Sequence, residues 1–583
     1  MPSLTVVEPD GLVAALTVAG ASRGGMIGLA ARVDIVGIAI GADLFTVAGA
    51  DAARAVAAAD EALRPRWVCW SVDTAQVLVA EGVRLATCWD VAVAHRLLYG
   101  GWRADAGRVW ALLHGLDHRR LPVLGQLDLL GGGDNAGDDD EPVRPDGHLR
   151  PEWLAGAWAD SPVRAARWAE AALAAAGLQR TRMAALDIAG DIEATTRSES
   201  TTELLCAELA ADGLPIDRPA AERLIASMIG PRAVTEAEAT LLRRERDHEV
   251  LRHLPPGGAV DLRSPADVKA MLRRIGVDVP DTRAWRLEQL RDVHPAIEAL
   301  LQWRKAERIA TTFGYGWLDT HVRADGRLRG EWAGSDGAAG RMTAGAGLHN
   351  LPAELRPVVV AEPGHLFVRA DLGQIEPRVL AAVSGDAALA KATLDDDLYA
   401  PVAKRLGVER AVAKVAVLAA MYGQTSGTAG QALRGMETGY PVAMKYLSDA
   451  AQAGFESREL RTYGGRLIRM YDNPETGDQR AVAAGRGRYA RNAMVQGAAA
   501  ELFKVWAVTV RARGAAIDAR IVLCLHDELL LHVPAEHAEA AAQLLHDCLG
   551  EAAHRWQPRR PDAAPVRFVA DVSIVRSWAD AKS

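Results

Sequence analysis

A chain of 583 residues exceeds what one hydrophobic core can serve, and 49% hydrophobic with 24% charged residues excludes a disordered or fibrous protein in favour of three or four globular domains. The net charge of −8 excludes a globally basic nucleic-acid binder, so any such surface has to be local. Five scattered cysteines (Cys69, Cys88, Cys206, Cys524, Cys548) without a CxxC pair exclude a disulfide framework or a zinc ribbon. With no leader-like N-terminus and no apolar run of about eighteen residues, they predict a soluble cytoplasmic protein with no membrane contact.

Residues 1–185 mix β-rich runs (Asp34 to Gly41, Arg66 to Val72) with Ala-rich helical stretches, an α/β pattern. The Gly- and Asp-rich stretch from Gly131 to Glu141 predicts a solvated insert, since like charges and glycines oppose packing. From Glu203 to Arg329 the pattern is helical. Asp217 and Ser264 are predicted N-caps, and Pro255-Pro256-Gly257-Gly258 separates helices. Strand character returns near Gly340. Leu366–Ala370 reads as a buried strand ending at Asp371, with a helix from Ile375 that tolerates Pro377 in its first turn. Residues 396–480 are mostly helical, with breaks at Gly423–Gly430 and Asp472–Gly477. A long helix is expected from near Arg486 past Lys504. It leads to a hairpin of Ile521–Leu525 and Leu529–Val533 with His526, Asp527 and Glu528 at the turn, and to a last strand near Val566–Val575.

Two aspartates, Asp371 and Asp527, thus end strand-like runs beside a sheet, where carboxylates can hold two divalent ions roughly 3.5–4 Å apart for phosphoryl transfer. An aspartate at a strand end also serves as a cap or turn residue, and a His-Asp pair also occurs in phosphohydrolases. Arg410, Lys414, Leu418 and Tyr422, at i, i+4, i+8 and i+12, form one slowly winding helical stripe. Its two cations suit phosphates, or make a solvated basic face. Arg488, Asn492 and Gln496 form a second row of donors, joined by Arg341. Such donors can read the minor-groove acceptors that all correct base pairs share, or can be a polar solvated face.

Three segments together resemble the A, B and C motifs of the family A DNA polymerases, the bacterial DNA polymerase I family: Phe367 to Glu376, Arg410 to Gly423, and Leu525 to Leu529. The resemblance runs from about Glu203 to the C-terminus. It includes weaker matches at Gln302–Phe313 and Asp397–Tyr399. It implies a right-hand polymerase behind an α/β ribonuclease H-like 3′–5′ exonuclease fold. Residues 1–185 are then exonuclease-like, 186–330 linker and thumb, and 331–395 and 486–583 the two parts of a palm with an antiparallel sheet. Residues 396–485 are helical fingers.

The implied activity is template-directed addition of deoxynucleotides to a primer 3′-OH, in DNA repair or replication. The cofactor is two Mg²⁺ ions, with Mn²⁺ as a substitute, and the partners are primer-template DNA and deoxynucleoside triphosphates acting on a monomer. Asp371 and Asp527 would be the catalytic metal ligands, with Glu528 an auxiliary carboxylate. Arg410 and Lys414 would hold the triphosphate, Lys414 as part of the catalytic set. Gln374, Leu418 and Tyr422 would line the nucleotide site, and Glu376 would crowd a ribose 2′-OH. Arg341, Arg488, Asn492, Gln496 and His526 would contact the primer-template.

This chain departs from the family pattern in several places. Leu418 stands where the family has Phe or Tyr, which costs ring area against the incoming nucleotide. The loop after Arg341 is one residue short, and the stretch from Asp397 to Arg410 is shortened. In the exonuclease-like region the first acidic site reads Met26 to Ala30 and the last falls at Trp168, with only Asp73 and Asp90 in register. The expectation is an exonuclease fold without its activity and no room for a 5′-nuclease domain. An inactive polymerase-shaped DNA-binding scaffold, or an enzyme with residual 3′–5′ exonuclease activity, are the alternatives.

Overall fold

The computed structural model describes residues 4–124, 140–336, 339–423, 428–470, 478–557 and 564–581. Most of the predicted acidic insert, and most of the two predicted breaks within the helical region, lie outside the described residues. The fold is mixed α/β and divides into two compact units. One comprises Met1–Asp212, Glu331–Thr343 and Gly364–Val575, the other Gly213–Gly330, Ala344–Pro363 and Arg576–Ser583.

The first unit contains two large sheets. The N-terminal one has six strands in the order Leu4–Val6, Asp43–Ala48, Ile35–Ile40, Met26–Arg32, Arg66–Cys69, Cys88–Asp90. The middle three form an antiparallel meander, and the outer strands join in parallel. An Ala-rich helix, Pro162–Ala184, lies directly on the meander. Glycine permits that approach: a Cβ at Gly37 would stand 2.1 Å from the Ala165 carbonyl carbon, and one at Gly28 would stand 2.3 Å from the Ala169 oxygen.

The second sheet is antiparallel, in the order Arg520–Leu525, Glu528–Pro534, His365–Leu372, Ala570–Val575. Its apolar runs are buried, Phe367, Val368, Leu529, Leu530 and Leu531 completely, as expected for strands covered on both faces. Helix Ala538–Trp556 packs on it.

The long helix extends over Gln479–Gly514, starting earlier than the expected Arg486 because Asp478 caps the backbone N–H groups of Arg480 and Ala481. A short strand pair, Leu460–Arg461 with Leu467–Ile468, interrupts the region read as helical. The last strand begins at Ala570 rather than Val566.

The second unit is helical around a core that includes Val250, Val268, Met271, Leu272, Ile297 and Leu300. Asp217 and Ser264 are N-caps, accepting from Ala220 N and Asp267 N. Thr235 and Glu238 add a reciprocal capping box at the start of Glu236–Leu251. Among the described residues no helix is long and apolar enough to cross a membrane, and all five cysteines are buried and outside any disulfide.

Candidate active site

Register brings the two motif aspartates together. Strand His365–Leu372 runs antiparallel to Glu528–Pro534 with Asp371 opposite Glu528, and Leu372 N donates to the Asp527 carbonyl at 2.9 Å. The hairpin turn is only two residues long, His526 and Asp527, flanked by the Leu525–Glu528 pair. His526 takes a left-handed φ of 48°, a position normally given to Gly or Asn and therefore strained for histidine. Glu528 was expected at the turn. It instead begins the strand and is buried, at 3% exposure.

The same four-residue neighbourhood holds a cation that motif reasoning passed over. Directly paired residues and i, i+2 neighbours share a sheet face, so Arg369, Asp371, Glu528 and Asp571 all project to one side. Arg369 Nη2 donates to Asp371 Oδ2 and to Glu528 Oε2 at 3.1 Å. Its Nη1 lies 3.6 Å from Asp571 Oδ2. The carboxyl of Asp527 is pushed above the usual range by burial, with Glu528 and Glu376 adding repulsion. A carboxylate so placed favours an added cation.

A cavity of about 180 Å³ opens beside this edge, lined by Arg341, Gln374, Glu376, Leu418, His526 and Asp527 from four separate segments, with Tyr399 and Phe503 as further walls. Glu376 is fixed from two sides: Arg341 Nη2 donates to its Oε1 at 2.7 Å and the Tyr422 hydroxyl to its Oε2 at 3.3 Å. Burial and the Glu376 charge raise the Tyr422 phenol, which Gln496 also reaches. His526 is held below its ordinary range by burial and by Arg341, so its imidazole is neutral at pH 7.

Gln374 takes a left-handed φ of 54°. Its Nε2 donates to Asp397 Oδ1 at 3.0 Å and its Oε1 accepts from Leu398 N at 2.8 Å. It ties the loop that carries Asp397 to the cavity wall. Arg410, expected to face phosphates, is paired with Asp397 through its Nε at 2.5 Å and its Nη2 at 3.2 Å. Lys414, one turn on, is exposed and makes no hydrogen bond or ion pair among the described residues. Arg488 is exposed, whereas Asn492 is half-buried with its Oδ1 unpartnered among the described residues.

Besides Arg369 and Asp397, motif reading missed Arg378. Its fully buried guanidinium donates to the carbonyls of Gly373, Thr393, Asp395, Asp396 and Arg567, pinning the loop that carries Asp397. A charged residue in an otherwise apolar helical stripe was the available signal, since such a charge is buried only when paired or saturated.

In the N-terminal sheet, Met26–Arg32 bears no carboxylate. Asp90 is buried as the N-cap of Val91–Tyr99, its carboxyl pushed up to about 7 by burial and Glu203. Asp73 is exposed and bonded to Ser71, and Trp168 packs on Trp70. Among the described residues of this part, no three acidic, His or Cys side chains converge on a common point.

The family model for DNA polymerase family A matches residues 254–580, more than half of the chain. The chain belongs to DNA polymerase family A. DNA polymerase I of Chloroflexus aurantiacus is 32% identical over 293 residues, covering 45% of this chain and 31% of that protein. The thermostable DNA polymerase I of Thermus aquaticus is 29% identical over 330 residues, covering 52% and 38%. The matched stretch thus spans about a third of the length of these relatives. Among solved structures, the POL domain of Pol1 from M. smegmatis, in complex with DNA primer-template and dNTP, superposes over 100% of both chains. Its TM-score is 0.68 at 22% identity, a likeness of fold.

Proposed function

We propose that this family member is a template-directed DNA polymerase that joins deoxynucleotides to a primer 3′-OH. One observation carries the reading: the sheet register sets Asp371 opposite Glu528 and beside the His526–Asp527 turn, at the edge of a cavity that also gathers Arg341, Glu376, Leu418 and His526. In this reading residues 1–185 are a ribonuclease H-like exonuclease domain lacking its acids, and 186–330 linker and thumb. Residues 331–395 and 486–583 are palm, and 396–485 fingers.

Hard carboxylate oxygens at neighbouring strand ends suit Mg²⁺, with Mn²⁺ as a substitute. Asp371 and Asp527 would hold two such ions, which when bound acidify the primer hydroxyl and neutralise charge on the leaving pyrophosphate. The protein's own groups do the rest. Lys414 and Arg410, at the N-terminal end of their helix, draw the triphosphate, the latter after exchanging Asp397 for phosphate. Glu376, braced by Arg341 and Tyr422, forms a rigid wall where a 2′-OH would sit. Neutral His526 donates or accepts at the primer end. Arg488, Asn492 and Gln496 touch the minor groove, checking pair geometry and not base identity.

Primer extension on a 5′-labelled primer-template with Mg²⁺ tests this. Lengthening by the wild-type protein is expected to fall by at least about two to three orders of magnitude in Asp371→Asn, with DNA binding retained. Unimpaired synthesis by that variant would sink the assignment. A wild-type protein that binds primer-template without extending it would instead be a scaffold.

A further inference from the structure

Arg369 is nearly inaccessible, at 4% exposure, yet its guanidinium is aimed into the catalytic edge and not away from it. Its position on the strand dictates this. Two residues before Asp371, it shares that residue's face, and the antiparallel register delivers Glu528 to the same side. One nitrogen, Nη2, bridges Asp371 and Glu528. The ligand atoms of Asp371, Asp527 and Glu528 do not all lie within 4.8 Å of one another. Burying an arginine is costly unless its charge is matched, and the carboxylates that match it include one the proposed reaction needs for a divalent ion.

We propose that Arg369 is a resident counter-cation of the active site. It holds Asp371 and Glu528 together in the metal-free protein, and it weakens the site's hold on divalent ions by competing for Asp371. The inference rests on the polymerase reading above, because it takes Asp371 as a metal ligand. Two consequences follow from Coulomb's law. Removing the guanidinium takes its charge away from both carboxylates, so the metal-free fold loses stability. The same removal takes a positive charge away from the ion's own position, so divalent affinity rises. A merely structural arginine would give the first effect without the second.

The test uses the full chain without DNA or nucleotide. Mn²⁺ binding is followed by the electron paramagnetic resonance signal of the free ion, and melting temperature is read with and without Mn²⁺. Arg369→Met, close to arginine in length but neutral, is expected to lower the Mn²⁺ Kd on the order of tenfold. It should melt lower than wild type without metal and gain more from added Mn²⁺. Arg369→Lys, which keeps the charge but not the fork, should stay within a few-fold of wild type. Should Arg369→Met fail to fold, Arg369→Gln takes its place with the same expectation. Asp371→Asn separates the two levels of the argument. If Asp371→Asn loses the Mn²⁺ site while Arg369→Met and Arg369→Gln bind Mn²⁺ no tighter than wild type, the counter-cation role is overturned and the metal site stands. If Asp371→Asn binds Mn²⁺ as wild type does, the metal assignment falls and takes the proposal with it.

Discussion

Leu418 lines the cavity with Tyr399 and Glu376, and a branched aliphatic side chain there offers contact without the flat face that stacks on a base or sugar. Leu418→Phe is therefore expected to lower the KM for deoxynucleotides several-fold with kcat little changed. Steady-state single-nucleotide insertion checks it, and an unchanged KM would mean the ring is not missed. Glu376 makes a different prediction at the same scale. Both of its oxygens are taken, by Arg341 and Tyr422, so its carboxylate cannot swing away from an extra hydroxyl. Glu376→Ala should raise ribonucleotide insertion relative to deoxynucleotide insertion by about tenfold or more, since one rejected hydroxyl is worth roughly 1–3 kcal/mol. Both residues were singled out from motif strings recognisable in the chain, Glu376 as a match and Leu418 as a departure. Arg369 stood in the same string and was not read, because nothing in a one-dimensional pattern says which side chains a partner strand delivers to the same face.

At the scale of elements, the long helix Gln479–Gly514 shows what periodicity leaves undetermined. Its buried positions include Glu501 and Lys504, which a helical wheel alone would send to solvent. Glu501 accepts from the Thr462 hydroxyl and from Gly464 N, in the turn of the short strand pair. Burial pushes its carboxyl up to about 7. A folded-state value raised above the unfolded one means stability that is full below about pH 4.5 and is lost as pH rises through 7. Glu501→Gln copies the protonated form, so its stability relative to wild type should grow by roughly 2.5 kcal/mol between pH 5 and 8. Urea unfolding of both proteins across that range measures the difference, and parallel pH curves would contradict it. The strand pair itself was missed in the sequence because its strands are two residues each. Such strands carry no alternation and exist only where Glu501 and its neighbours satisfy them.

Within the larger unit, the N-terminal α/β part is joined by buried charge to the long helix Gln479–Gly514 and the short strand pair beside it. Lys504 pairs with Glu199 of helix Ile192–Asp212 at 2.6 Å, with Arg466 on the same carboxylate at 2.7 Å. Arg511 reaches Glu208 and the carbonyls of Leu85 and Ala86, and Arg461 reaches those of Leu97 and Leu98. Breaking one partner of such a pair leaves a buried charge unmatched, so Lys504→Met should cost about 3–5 kcal/mol, read as a lowered melting temperature of the whole chain. A stable Lys504→Met protein would show that the pair is replaceable by packing. The N-terminal part is also expected to leave a labelled primer end intact with Mg²⁺ or Mn²⁺ and no nucleotides, because Asp90 is spent as a helix cap and Met26–Arg32 has no acid. Steady shortening would locate carboxylates that neither pattern nor contacts revealed.

Strand runs, helix caps such as Asp217 and Ser264, and the three motif strings depend on residues near one another in the chain, and local chemistry suffices to specify them. The partners of Arg369, Arg378, Arg410 and Lys504 come from segments brought close by sheet register and helix packing. A buried charge is tolerated only where those distant partners arrive, so the tertiary structure alone decided which of these cations are tied to which carboxylates and carbonyls.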